Sequence, residues 1–276
     1  MRGVFSSDNY LAWRRKDINM SMTKHVLKVE HAYFSYEEGR YALHDINVSI
    51  NKGEKIAVIG SNGAGKSTFF LTLNGVVKLL EGELYFHGEK LDYSRNHLVK
   101  LRKSVGMVFQ NPDDQIIAST VEGEISFGLF NIGMKTKEVR TKVNGVMQEM
   151  NLTEYAKRPP HFLSGGEKKR VTIADVVVME PEIILFDEPM ASLDCKNTAL
   201  FREQIDKLHK RGVTLLISTH DMNFVWEWAE RVIVFADGEI VADDIPTVIF
   251  ENDEIISRAS LQKPLLFESE KYRNKV

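Results

Sequence analysis

One cysteine, Cys195, occurs in 276 residues. A disulfide framework within the chain is therefore excluded, and the thiol reads as an ordinary reduced one. No apolar run approaches the roughly 18 residues that a membrane-spanning helix needs. Neither sign of charge is in large excess. The net charge is −3 and no basic stripe stands out, so a nucleic-acid partner gains no support. Internal repeats and low-complexity tracts are absent. His25, His31, His44, His87, His97, His161 and His209 show no metal-ligand spacing and read as surface or core residues. The first 24 residues carry Arg14, Arg15 and Lys16 but no apolar segment, so they do not read as a signal peptide. A flexible extension is expected there, with Met20 and Met22 as alternative starts.

What is present fits one large or two small globular units: 43% of the residues are hydrophobic and 27% charged. The chain is organised around Ile56-Ala57-Val58-Ile59-Gly60-Ser61-Asn62-Gly63-Ala64-Gly65-Lys66-Ser67-Thr68. It contains G-x-x-x-x-G-K-S, the phosphate-loop pattern. Four apolar residues read as a buried strand ending at Gly60, and a helix is expected over residues 66–74. The glycines let the backbone curl so that its N–H groups converge. Those groups and the helix N-terminus make a nest for phosphate oxygens. Lys66 is expected on the β and γ phosphates, and the Ser67 hydroxyl on Mg²⁺.

Strands are expected over residues 25–36, 46–50 and 81–88. Tyr36 and Tyr41, near the turn between the first two, read either as adenine-stacking rings or as surface tyrosines. A more helical region is expected over residues 96–179, interrupted by a short strand that ends in Gln110-Asn111-Pro112-Asp113-Asp114. Ser164 and Glu167 have capping-box spacing, S-x-x-E, at the start of a helix whose buried face is Val171, Ala174 and Val178. That helix N-terminus, with Gly165 and Gly166, is a second candidate anion site or simply a well-capped end. Ile183-Ile184-Leu185-Phe186 reads as a fully buried strand running into Asp187-Glu188. Alternating strands and helices follow, to a strand near residue 235, which argues for a parallel sheet with right-handed crossovers. Gly60, Asp187, Glu188 and His220 all follow strands, at the end where such sheets bind ligands. Asp237-Gly238 signals a hairpin. Trp226 and Trp228 read as helix packing. From Pro246 a short helix and then a charged tail over residues 251–276 are expected.

Over residues 26–250 these motifs resemble the nucleotide-binding subunits of ABC transporters. Residues 60–68 match Walker A, and Gln110 the glutamine loop. Leu163-Ser164-Gly165-Gly166-Glu167 matches the signature, and residues 183–187 match Walker B. Glu188 matches the catalytic carboxylate, Ser192-Leu193-Asp194 the aspartate loop, and His220 the switch histidine. Gln110-Asn111-Pro112-Asp113-Asp114-Gln115, with Glu124-Ile125-Ser126-Phe127-Gly128, is similar to the energy-coupling-factor branch, which includes cobalt, nickel and vitamin importers. Two positions depart from the family pattern. Glu167 stands where glutamine is usual, and Met190 where threonine is common.

The resemblance implies an α/β fold of the P-loop NTPase (RecA-like) type. A parallel-sheet core, an antiparallel β subdomain and a helical signature subdomain are expected. It implies an ATPase with ATP and Mg²⁺ bound by Tyr36, Ser61, Asn62, Gly63, Ala64, Gly65, Lys66, Ser67, Thr68 and Gln110. Ser164, Gly165, Gly166 and Asp194 are further expected nucleotide contacts, with Ser164 and Gly166 acting on the γ-phosphate of a partner subunit. Ser67, Gln110 and Asp187 are the expected metal ligands, and Glu188, His220 and Lys66 the catalytic groups. The implied partners are a second ATPase subunit, identical or paralogous, a transmembrane energy-coupling subunit and a separate substrate-binding membrane subunit, at the cytoplasmic face. A DNA- or ribosome-acting ABC ATPase fits less well. The stretch between Lys66 and Ser164 is too short for a long coiled coil, and there is one cassette rather than two. A P-loop kinase leaves the signature and His220 unexplained.

The segment after Gln110 carries Ile116, Ile117, Phe127, Leu129 and Phe130, with Asp113, Asp114, Glu122 and Glu124 beside them. It reads either as an apolar groove with an acidic rim for a membrane subunit's helix, or as helical core.

Overall fold

The computed structural model describes residues 25–191 and 193–273. The expected extension over residues 1–24, with Met20 and Met22, and Ser192 of the aspartate loop lie outside the described residues.

Two sheets carry the fold. In the first, β1 (Leu27–Glu37), β2 (Arg40–Ile50), β4 (Glu81–Phe86) and β5 (Glu89–Lys90) pair antiparallel in the order β2-β1-β4-β5. In the second, β3 (Lys55–Gly60), β6 (Val105–Val108), β7 (Ile183–Phe186), β8 (Thr214–Ser218), β9 (Arg231–Ala236) and β10 (Glu239–Asp244) lie in the order β10-β9-β3-β8-β7-β6. All its pairs are parallel except β9 with β10, the hairpin at Asp237-Gly238. Strands buried on both faces are apolar throughout rather than alternating. Ile56 to Ile59 and Ile183 to Phe186 are all fully buried, which is why both stretches read so clearly.

Helix α1 (Lys66–Leu73) follows the phosphate loop and packs Phe69, Phe70 and Leu73 into a core shared with the antiparallel sheet. Helix α2 (Arg95–Ser104) adds Leu101 to that same core, so the separate helical unit begins only after β6. That unit is α3 (Val121–Asn131), α4 (Thr136–Glu149) and α5 (Gly165–Val177), packed through Ile125, Val143, Val171 and Ala174. Helices α6 (Cys195–Lys210) and α7 (Met222–Trp228) are the later crossovers.

The charged tail expected after residue 250 is instead helical. Beyond α8 (Pro246–Glu251) come α9 (Asp253–Arg258) and α10 (Leu265–Arg273). Ile256 and Phe267 are buried, and the Phe267 ring meets Trp226 edge-on at 5.1 Å. Helix α10 packs on α7, and α9 on α8. No helix among the described residues is long and apolar enough to cross a membrane.

The segment after Gln110 divides between the two readings. Ile116 and Leu129 pack in the helical core. Ile117, Phe127 and Phe130 are 69%, 46% and 48% exposed. Glu124 is not part of an acidic rim. It is buried, and its carboxylate accepts the N–H groups of Ile117 (2.9 Å) and Ala118 (2.6 Å). Spacing alone gave no sign that the loop folds back onto it.

A half-buried polar link joins the end of β6 to α5. Gln115 accepts from Phe109 N–H (3.2 Å) and donates to Thr172 O (3.1 Å) and Asp175 Oδ2 (3.2 Å). Burial pushes the Asp175 carboxyl from 3.8 up to about 7; the Gln115 bond acts against burial and Glu124 adds to it. The folded-state value lies above the unfolded one, so the folded chain holds this proton across that window. Stability is therefore lost as pH rises through it. Asp175→Asn removes the charge and keeps the shape. We expect it to stabilise the protein by at least about 1 kcal/mol at pH 8, since a tenfold change in proton affinity is worth about 1.4 kcal/mol. The gain should shrink at pH 5. Calorimetric unfolding at both pH values checks this, and an equal gain at both contradicts it.

Candidate active site

The parallel register fixes the site. Because β3, β8 and β7 run side by side in one direction, their carboxyl ends open on one cleft. Its lining includes Tyr36, Asn62, Gly63, Ala64, Gly65, Lys66, Ser67, Thr68, Gln110, Asp187, Glu188 and His220.

The phosphate loop turns between β3 and α1 with Gly60 at φ 149° and Gly65 at φ 108°. A Cβ at Gly60 would lie 2.3 Å from Phe235 O, and one at Gly65 2.6 Å from Ala42 O. Only glycine fits the two turns that bring the loop amides together. Gly65 caps α1 without a side chain, so the N–H groups of the first turn are left for an anion. Lys66 is buried, and its Nζ donates to Gly60 O (2.8 Å) and Ser61 O (3.0 Å). Burial lowers its pKa, while the carboxylates of Glu188 and Asp187 act in the opposite sense. Ser61 therefore takes part through its carbonyl, and its side chain is not in the cleft lining. Tyr36 OH lies 3.3 Å from Thr68 Oγ1, which ties the β1 tyrosine to the loop helix.

Across the cleft Asp187 and Glu188 follow β7. One hydroxyl orients both. Ser218 Oγ donates to Asp187 Oδ1 (2.6 Å) and accepts the Glu188 N–H (2.9 Å). Glu188 has φ 43°, a left-handed conformation that a side chain rarely adopts. Its carboxyl is pushed up by burial, held down by Lys66 and raised again by Asp187. His220 Nε2 lies 3.2 Å from Glu188 Oε1, but off the line of a hydrogen bond, so this buried oxygen has no hydrogen-bond partner among the described residues. Burial, then Lys66, lowers the His220 pKa.

Gln110 lies at the end of β6. The Lys169 ammonium, on α5, holds its backbone by donating to Phe109 O (2.9 Å) and Gln110 O (2.7 Å). Burial brings the Lys169 pKa down to about 8, and Asp187 acts in the opposite sense.

Ser164, Gly165, Gly166 and Asp194 are not brought into this cleft. Ser164 caps α5 with both halves of the capping box: Glu167 N–H to Ser164 Oγ (3.4 Å) and Ser164 N–H to Glu167 Oε2 (2.7 Å). The Ser164 N–H holds the Glu167 carboxyl below its usual range, with Tyr155 assisting. Asp194 caps α6, accepting from Asn197 N–H (2.7 Å) and Nδ2 (3.0 Å). Arg170 on α5 donates to Asn197 Oδ1 (3.1 Å), so the aspartate loop and the signature helix are linked.

Ser218 and Lys169 were missed in the sequence, and Gln115 was named there only as part of the branch motif. Ser218 stands two places before His220. Lys169 shares a helical face with buried Thr172, Ile173 and Val176, and a lysine there calls for a polar partner. The motif that contains Gln115 gave no sign of its bonds to Phe109, Thr172 and Asp175.

The ABC transporter family model matches residues 43–191. The energy-coupling factor transporter ATP-binding protein EcfA of Methanothermobacter thermautotrophicus is 45% identical over 84% of this chain and 74% of its own length. That of Methanocaldococcus jannaschii is 40% identical over 87% of this chain and 86% of its own. Among solved structures, cbiO1 from Clostridium perfringens, part of the ABC transporter complex cbiONQ, superimposes with a TM-score of 0.75. It is 36% identical, over 90% of this chain and 99% of that one. A dimeric ATP-binding cassette in a post-hydrolysis state with ADP and phosphate has a TM-score of 0.73 at 30% identity, over 80% and 98%. Phosphate loop, paired carboxylates and histidine in one cleft, on this fold and with these relatives, mean that the chain belongs to the ABC transporter ATPases, close to the energy-coupling-factor ATP-binding proteins.

Proposed function

We propose that the chain binds and hydrolyses MgATP to energise an importer of the energy-coupling-factor type, carrying a transition-metal ion or a vitamin. The observation that carries the reading is the convergence of Lys66, Asp187, Glu188 and His220 on one cleft beside the phosphate loop.

The loop amides and Lys66 take the phosphate charge. Ser67, Gln110 and Asp187 form the metal-ligand set. Their donors are a hydroxyl, a carboxamide and a carboxylate, all hard oxygens that suit Mg²⁺. Held there, Mg²⁺ would supply positive charge against the phosphates. The ionised Glu188 accepts a proton from water as the water oxygen attacks the γ-phosphorus. The bond to the bridging oxygen breaks, and ADP keeps its electron pair. Burial supports this role, since a carboxylate with a raised pKa is a better base. His220 donates to the γ-phosphate. Tyr36 meets the adenine. Such groups act by preorganised electrostatics.

Ser164, Gly165 and Gly166 of one protomer close on the γ-phosphate held by its partner, with Asp194 at the same boundary. Their position outside their own chain's cleft, on a capped helix start, supports a dimer of identical or paralogous cassettes. The dimer sits at the cytoplasmic face, with a transmembrane energy-coupling subunit and a separate substrate-binding membrane subunit. Residues 25–250 are the ATPase domain. Ile117, Phe127 and Phe130, exposed on the helical unit, receive an amphipathic helix of the energy-coupling subunit, and Asp114 draws its basic residues.

Glu188→Gln is expected to keep MgATP binding, to lose at least about a hundredfold in turnover and to accumulate as an ATP-bound dimer. Phosphate release and light scattering read this. Near-normal turnover sinks the assignment.

Ile117→Ser with Asp114→Arg is expected to stay folded and to bind ATP, because both side chains face solvent, yet to lose copurification with the membrane complex. A folded double variant that still copurifies puts docking elsewhere. An unfolded one returns Ile117 to the core.

A further inference from the structure

Lys169 has no place in the chemistry described so far, yet it is only 3% exposed. Among the described residues no carboxylate lies within ion-pair distance of it. Its contacts are two consecutive carbonyls, Phe109 O at 2.9 Å and Gln110 O at 2.7 Å. Burying an ammonium is costly, and packing alone would be served by an apolar side chain. The same backbone is held from its other side. Phe109 N–H donates to Gln115, whose amide is anchored on Thr172 O and Asp175 of α5. The peptide groups that aim the Gln110 side chain are thus fixed to one helix through side chains. That helix begins at Ser164, less than two turns from Lys169.

We propose that Lys169 is a positioning residue for Gln110. Its ammonium makes the Gln110 backbone and the signature helix one rigid body. In a dimer, the helix start that closes on the partner's phosphate and the carboxamide of the helix's own site then move together. The inference rests on the reading of Gln110 as a metal ligand.

The test uses the full chain in a Glu188→Gln background, loaded with ATP. Mn²⁺ is the probe, and its affinity is read by electron paramagnetic resonance. Lys169→Met is expected to weaken Mn²⁺ binding by about tenfold or more, the usual cost of losing a group that orients a ligand. Metal-free ATP binding should change by less than about twofold, because the phosphate loop is untouched. Lys169→Arg should recover most of the loss, since it restores a charged donor. Gln110→Ala is the reference. If Gln110→Ala binds Mn²⁺ like its parent, the ligand reading fails and the inference with it. If Gln110→Ala weakens binding and Lys169→Met does not, the inference alone is overturned. Should Lys169→Met fail to fold, Lys169→Gln decides the matter by the same readout.

Discussion

Parallel pairing of β3, β8 and β7 is the constraint on which the site depends. Hydrogen bonds between those strands bring Gly60, Ser218 and Phe186 to one edge of the sheet, although they are far apart in the chain. Each strand is buried on both faces, so a slipped register would disturb packing above and below the sheet at once. The loop, the carboxylates and the histidine are therefore positioned by backbone rather than by long flexible side chains. A fixed array of dipoles and charges is what phosphoryl transfer requires.

Around that rigid edge, polar side chains do the fine placement. Ser218 links Asp187 to the Glu188 backbone. Asn197 links Asp194 to Arg170, and so the aspartate loop to α5. Lys169 and Gln115 link α5 to the end of β6. The apolar cores stabilise the units, whereas these bonds connect one motif to the next. Most reach α5, and that helix is where separate parts of the site meet.

Much of the site was legible in the sequence because its strongest signals are local. A phosphate loop must be contiguous, since its amides converge only through successive turns. A capping box needs only four residues, and Ser164 with Glu167 form it as their spacing foretells. Apolar stretches such as residues 183–186 announce double burial. What escaped reading depends on chain segments meeting at a distance. Glu124 reads as surface charge until the loop at Ile117 folds over it. Ser218 looks like any strand-end hydroxyl until two carboxylate residues arrive beside it. Helices α9 and α10 looked like a charged tail because Phe267 finds its cover on Trp226, an earlier helix.

Glu188 sits in a left-handed backbone conformation directly before Pro189, although the residue before a proline is normally driven to an extended one. Such a conformation costs about 1–3 kcal/mol and persists only where the surroundings impose it. The direction in which the Glu188 side chain leaves its Cα is therefore set by this backbone, held by the Ser218 bond against the preference that the following proline imposes. It follows that this carboxylate can be retuned by residues that never touch the nucleotide. Changes at positions 189 or 218 would tilt the Glu188 carboxylate while leaving the other groups of the cleft in place.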